Sequence, residues 1–349
     1  MIKQFVLLTL LFLVLMFSCI SSSSVQMPVW VNDVYSVYNR AHYIAATGFG
    51  SDRNAAEKNA LAALTAFFGQ TVQVDRMAAS SYQQAVINGV MDGWIDTAEM
   101  RTNIRSFASM DNLIGVEIKE VWFDSKGTYY AVAAAEKNSI IRIYNELINA
   151  NNNIINNLTV MTSGEKNSME GVIRYRFAAT VADINSSYRD IVVLLGGSIS
   201  DSRSFDGDYY RLEAKNIIKT IPISIKILND RNGRISSAFA KCFTDWGFET
   251  ISIPVSSASM TRYSLEVNVS LNPVVLPGNP NIFSRIELIA ALSDNTHNRV
   301  LIPYSFISRE GSISQTEADN RCITAAERDI NEVFSVFLSD YLSQLLPNS

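Results

Sequence analysis

The sequence predicts an α+β protein made of two α/β sandwich-like domains linked by a long helical hairpin. Three observations carry this reading. Residues 263–271 alternate apolar and polar as a half-buried strand does, and short strand-like runs bounded by turn residues occur in both the first third and the last third of the chain. Between them, two longer stretches repeat apolar residues at helical spacing. Of the 349 residues, 48% are hydrophobic and only 18% charged, so the chain can bury a substantial core in each of two domains.

The N-terminal residues read as an export segment. A single Lys3 precedes an apolar run over 5–17, Ser18 and Cys19 follow, and serines occupy 21–24. That order gives a charged n-region, an apolar h-region and a small residue at the cleavage point. The run is shorter than the roughly 20 residues that a bilayer-spanning helix needs. A cysteine just beyond such a run reads as a lipobox, Met16-Phe17-Ser18-Cys19, which makes the segment a lipoprotein signal peptide. Met16 and Phe17 depart from the usual Leu-Ala-Gly-Cys pattern. In that chemistry the signal is removed, the Cys19 thiol takes a diacylglyceryl group and the new amino group is acylated. The expected divisions are 1–18 as signal peptide and 19–27 as acylated cysteine and serine-rich tether. The alternative is ordinary secretion, with Cys19 cut away beside the h-region.

The first folded domain is expected over 28–137. A strand over 43–46 breaks at Gly48-Phe49-Gly50, and Ser51 or Asp52 caps a helix whose Ala56, Ala60, Ala63, Leu64 and Phe67 recur at helical spacing. The alanines allow that helix to approach a sheet closely. A second helical stretch covers about 77–105. Strands over 114–123 and 129–135 follow, joined by the turn sequence Asp124-Ser125-Lys126-Gly127.

Residues 138–197 read as the helical hairpin, a spacer between domains. Ile140, Ile141, Tyr144, Leu147, Ile148, Ile154 and Ile155 give one apolar face on an asparagine-rich segment. A break at Thr162-Ser163-Gly164 leads to a second stretch over 172–195, closed by Gly196-Gly197. The C-terminal α/β domain is expected over 198–349. Its elements are a strand over 222–228, a helix over 234–246, strands over 248–253, 263–271, 286–292 and 300–307, and a helix over about 315–345. The last helix carries Ile323, Ala326, Ile330, Val333 and Phe337 as its apolar stripe.

Those residues carry a resemblance. Pro28-x-Trp30, then Tyr43-Ile44-Ala45-Ala46-Thr47-Gly48-Phe49-Gly50, then Ala55-Ala56-Glu57-Lys58-Asn59-Ala60-Leu61-Ala62 resemble the lipoprotein-20 family of bacterial outer-membrane lipoproteins. The same segment is similar to the N-terminal domain of the flagellar assembly protein T group. The order from 221 to 253, with the later Pro303-Tyr304-Ser305-Phe306, is more loosely similar to the periplasmic α/β domain of that group and of lipoprotein activators of cell-wall synthases. The resemblance implies a periplasmic, non-enzymatic protein that works through interactions. It transfers no catalytic residue.

Other chemistry is not indicated. The net charge of −5 becomes −6 once Lys3 leaves with the signal, so the chain has no basic footprint for nucleic acid, and membrane contact is expected from acyl chains on Cys19. Gly48-x-Gly50 lacks the third glycine of a dinucleotide loop, since Arg53 stands there, and reads as a close approach of backbone to helix. The two histidines, His42 and His297, have no nucleophile and orienting acid in sequence context. Asp201, Asp206 and Asp208 lack the spacing of a calcium loop and read as a solvated turn. Cys242 and Cys322 read as buried helix residues, with a disulfide between them left open. Trp30, Tyr209 and Tyr210 read equally as partner surface or packed rim. The expectation is therefore no enzyme, cofactor or metal, but a lipid-anchored protein on the periplasmic face of the outer membrane. It would contact envelope proteins as scaffold, flagellar accessory factor or wall-enzyme activator. The alternative is a small-ligand or glycan-binding module of the cell envelope.

Overall fold

The structure, a computed structural model, describes residues 26–69, 82, 84–85, 114–230, 232–254 and 261–346. Cys19 and nearly all of the helical stretch expected over 77–105 lie outside the described residues. The chain forms two compact units: residues 1–71 with 110–140, and residues 72–109 with 141–349. The helical pair therefore groups, from residue 141 onward, with the C-terminal residues, and the boundary expected at 197 is no break between units. The mixed helix and strand content, in two separate sheets, is that of an α+β protein.

In the first unit a helical turn, α1 (Val29–Asn32), precedes β1 (Tyr43–Gly50), α2 (Arg53–Gly69), β2 (Glu117–Phe123) and β3 (Tyr129–Glu136). The sheet order is β1-β3-β2, antiparallel throughout. Strand β1 does not stop at Ala46. It runs on through Gly50, because the glycines are places where α2 lies against the strand. A Cβ on Gly48 would lie 2.1 Å from the Ala60 nitrogen, and one on Gly50 would lie 2.6 Å from the Ala55 Cβ. The Asp52 carboxylate accepts from Ala55 N–H at 2.9 Å and so caps α2. Ala56, Ala60 and Leu64, at i, i+4 and i+8, are its buried stripe. Central strand β3 buries Ala131, Val132, Ala133, Ala134 and Ala135 in succession, as a strand covered on both faces must.

The second unit begins with a helical pair. In α3 (Lys137–Thr159) and α5 (Met169–Leu194), Tyr144 stacks edge-on to Tyr188 at 5.3 Å and Arg174 reaches back to Leu158, so the two run antiparallel. The turn α4 (Ser163–Lys166) between them carries a capping box of Thr162 and Glu165. The asparagines are not only solvated. Asn151, Asn152 and Asn185 are buried in one network: Asn185 Nδ2 donates to Asn152 Oδ1 at 2.7 Å, and Asn151 Nδ2 to Asn185 Oδ1 at 3.3 Å. Tyr82 closes it by donating to Asn151 Oδ1 at 2.6 Å. At the end of α3, Arg174 donates to the carbonyls of Leu158, Asn157 and Val160, which would otherwise lack partners.

A helix not expected from the sequence follows, α6 (Gly207–Thr220), with Asp206 as its N-cap and Asp208 in its first turn. Then come β4 (Ile223–Leu228), α7 (Arg234–Asp245), β5 (Thr250–Ser252), β6 (Tyr263–Val274), β7 (Ile282–Asp294) and β8 (Arg299–Ser312). The sheet order is β5-β4-β6-β7-β8, parallel from β5 to β6 and antiparallel from β6 to β8. Leu265, Val267 and Val269 of β6 and Ile286, Leu288, Ala290 and Leu292 of β7 alternate inward.

The last helical segment is α8 (Gln315–Asp329), one π turn (Ile330–Phe334) and α9 (Ser335–Ser343). Its buried stripe is Ala318, Cys322, Ala326, Ile330, Phe334, Leu338 and Leu342. Val333 and Phe337, expected inside, are 37% and 45% exposed. The reason is geometric. Side chains repeating every fourth residue drift around an ideal helix of 3.6 residues per turn, and the wider π turn holds the stripe on the sheet.

Candidate functional site

The face of the first sheet opposite α2 is built in two halves. On one, Trp30 is 2% exposed, and its Nε1–H donates to Glu120 Oε2 at 2.8 Å while Tyr38 Oη donates to Glu120 Oε1 at 3.1 Å. Trp30 is thus an anchor that fastens the segment before β1 to β2, not a free surface aromatic. On the other half, the register sets Phe49, Tyr130 and Trp122 in one row across β1, β3 and β2. The Trp122 and Tyr130 rings lie 5.4 Å apart, and Phe49 is 66% exposed. Trp122 Nε1–H is buried without an acceptor among the described residues, a donor left over at the edge of this row.

In the second unit a cluster of titratable groups surrounds Asp294, at the end of β7. Its side chain is 4% exposed and accepts from Arg262 Nη2 at 3.2 Å, with His297 Nδ1 at 2.9 Å and Thr296 N–H at 2.9 Å. Burial would raise this carboxyl, but the bonds from His297 and Arg262 outweigh it and hold the group below its ordinary value. Arg262 also donates to the carbonyls of Gly164 and Asn167 at 3.0 and 2.6 Å, and Tyr263 Oη accepts from Met169 N–H at 3.1 Å. The cluster lines a cavity of about 300 Å³. Each of these contacts is internal to the unit. The arrangement clamps the loop around α4 to the ends of β6 and β7.

The remaining residues singled out from the sequence are dispersed. The His42 carbonyl accepts from Lys137 N–H at 2.8 Å, at the far end of β1 from its glycines. Asp201 binds Arg203 and Asn152, which hold its carboxyl well below the usual range, while Asp206 caps α6 and Asp208 binds Arg211. The three carboxylates therefore have separate tasks, and Asp206 and Asp208 belong to a helix start instead of a loop. Tyr210 is buried, and Tyr209 is exposed beside it. Cys242 and Cys322 are free buried thiols, donating to the carbonyls of Ile330 and Ser284 respectively. Burial pushes the Cys242 thiol up to about 11. Among the described residues no group of His, Cys, Asp or Glu is arranged to hold a metal ion, and no helix is long and apolar enough to cross a membrane.

Sequence and structure comparisons bear on the first unit above all. Residues 28–136 match the family model described as LPP20 lipoprotein. The solved secreted protein HP1454 from Helicobacter pylori is 13% identical, covers 82% of this chain and 97% of its own, and superposes with a TM-score of 0.37. A minor lipoprotein from Acinetobacter baumannii is 12% identical over 36% of this chain and 94% of its own, with a TM-score of 0.24. The lipoprotein GNA1162 from Neisseria meningitidis is 16% identical over 32% of this chain and 99% of its own, with a TM-score of 0.23. No curated protein matches the chain. Superpositions this loose carry no argument. The matched segment contains the Trp30 anchor, the Gly48–Gly50 approach and the alanine face of α2. Residues 28–136 are thus similar to the LPP20 lipoproteins, which supports a bacterial envelope lipoprotein.

Proposed function

We propose that this protein is held at a membrane surface by acyl chains on Cys19 and works there through protein–protein contacts, without catalysis. The observation that carries the reading is the LPP20 lipoprotein match, which begins at residue 28, just beyond Cys19 and its serine tether. Acylation at two points gives stable anchoring, and anchoring raises the effective concentration of partners in the same membrane. The periplasmic face of the outer membrane is the compartment that fits this reading. Exposed Phe49, with half-buried Tyr130 and Trp122 in the same row, supplies aromatic contact area of the type that interface centres favour. Replacing Cys19 with Ala should move the protein from the membrane fraction to the soluble fraction and abolish incorporation of labelled palmitate. A wild-type chain that takes up no palmitate, with a Cys19→Ala variant that stays membrane-bound, would overturn the anchor.

A further inference from the structure

Two arginines on α5 stand two residues apart and are treated differently by the fold. Arg174 is fully occupied by three carbonyls and Glu170. Arg176 is half-buried, and its guanidinium makes no hydrogen bond or ion pair to any described residue. Burial lowers its affinity for the proton with no anion to offset the effect. The group stays charged, so a partly desolvated cation has been left uncompensated. Its Nη2 lies where a Cβ on Gly247 would come within 2.8 Å, which fixes the guanidinium against the backbone just before β5.

Arg176 lines a cleft of about 530 Å³ between α5 and α6, within the size range of small-ligand sites. Across the cleft α6 presents Arg211, Lys215 and Lys219, spaced i, i+4 and i+8 on one face. Arg211 is neutralised by Asp183 and Asp208, at 2.6 and 2.8 Å. Lys215 and Lys219 form no ion pair among the described residues and are exposed. Like charges at i, i+4 disfavour a helix by a few tenths of a kcal/mol. Arg211 is offset by its two carboxylates and Lys219 by the helix dipole in the last turn, whereas Lys215 has no such compensation among the described residues. Glu249 is the one carboxylate on the lining, and three unpaired cations against it leave two positive charges. A guanidinium fork at the base with ammonium groups at the mouth is the donor set that takes oxyanions.

We propose that the cleft between α5 and α6 binds a doubly charged phosphate group, with Arg176 as the half-buried donor and Lys215 and Lys219 completing charge balance. The group is supplied by a soluble phosphate ester or by a phosphomonoester lipid headgroup. The test uses the full chain carrying Cys19→Ala, so that lipid attachment does not enter. Thermal unfolding in inorganic phosphate is compared with sodium chloride at equal ionic strength, at a pH where phosphate is dianionic. The melting temperature should rise in phosphate alone, the rise should vanish in Arg176→Gln, and the apparent Kd should weaken roughly tenfold in the exposed double variant Lys215→Gln/Lys219→Gln. A second arm measures sedimentation with phosphatidylcholine vesicles with and without phosphatidic acid. Binding that needs phosphatidic acid and is lost in the double variant assigns the site to a headgroup. A phosphate response without vesicle binding assigns it to a soluble ester. Equal melting temperatures in phosphate and chloride, or a phosphate response that both variants keep, would overturn the proposal.

Discussion

The two sheets are joined to their helices by opposite means. Where α2 meets β1, the contact is made by residues with little or no side chain: Gly48 and Gly50 on the strand against Ala55, Ala56 and Ala60 on the helix. Where α7 and the C-terminal helical segment meet the five-stranded sheet, large rings interlock. Phe334 lies 4.8 Å from Phe239, 5.9 Å from Phe243 and 5.5 Å from Tyr304, ring centre to ring centre, and all three contacts are edge-on. The first interface gains from backbone proximity and has no spare volume. The second gains from buried area and has volume to lose. The first should therefore fail on addition of atoms and the second on their removal.

Removal in the large-ring core is the larger expected effect. Phe334 is fully buried, and Phe334→Ala deletes a ring that three aromatic neighbours surround. The expected cost is about 3–5 kcal/mol, since a cavity in such a core closes only partly. Addition in the small-residue interface comes next. Gly48→Ala sets a Cβ within 2.1 Å of the Ala60 nitrogen and 2.5 Å of the Ala56 carbonyl oxygen, and a backbone cannot rotate out of the way as a side chain can. The expected cost is about 3 kcal/mol, at the upper end of typical overpacking effects. Hydrogen exchange followed by mass spectrometry reads both. Gly48→Ala should accelerate exchange in 43–50 and 129–136 while leaving 263–312 unchanged, and Phe334→Ala should do the reverse. If Gly48→Ala is silent, or both variants loosen the same segments, the contrast between the interfaces is wrong.

The same contrast decides what the sequence disclosed. Alternation in β6, with Tyr263, Leu265, Val267 and Val269 inward, and the alanine stripe of α2 are local patterns and were readable as such. Helix α6 was not, because Asp201, Asp206 and Asp208 together look like a polar loop. Its signal lay two residues on, where Tyr210, Ala214, Ile217 and Ile218 repeat at helical spacing behind Asp206 as cap. The buried asparagines were equally hidden. Asn151, Asn152 and Asn185 satisfy one another only after α3 and α5 have paired, and composition alone reads such residues as solvated. Trp30 shows the same limit. Its partner Glu120 lies ninety positions away, so nothing near Trp30 in sequence marks it as an anchor. The basic cleft depends on distance as well. Arg176 and the Arg211, Lys215, Lys219 stripe are separated along the chain by the bend between α5 and a helix that was itself unread.

A smaller effect separates the fastenings of the two units by pH. In the first unit Glu120 accepts from neutral donors, Trp30 and Tyr38. In the second, Asp294 accepts from Arg262 and from the His297 ring, and its carboxyl is held below the ordinary value. A carboxyl depressed on folding contributes stability that is fully present above its unfolded value, about 3.9, and is lost as pH falls through the lower folded value. Stability should therefore fall on acidification below about pH 4, and Asp294→Asn should remove part of that fall. At neutral pH the same variant should cost about 1 kcal/mol, because the amide keeps one acceptor oxygen but gives up a charge-assisted bond. Urea midpoints measured from pH 7 to pH 3 test this through the difference between wild type and variant, since Asp201 titrates in both and cancels. A difference that narrows as pH falls through the acid range is the expected result. A constant difference would mean that the clamp at the end of β7 holds by shape and neutral hydrogen bonds, as the Trp30 anchor does, and the two units would then differ in packing alone.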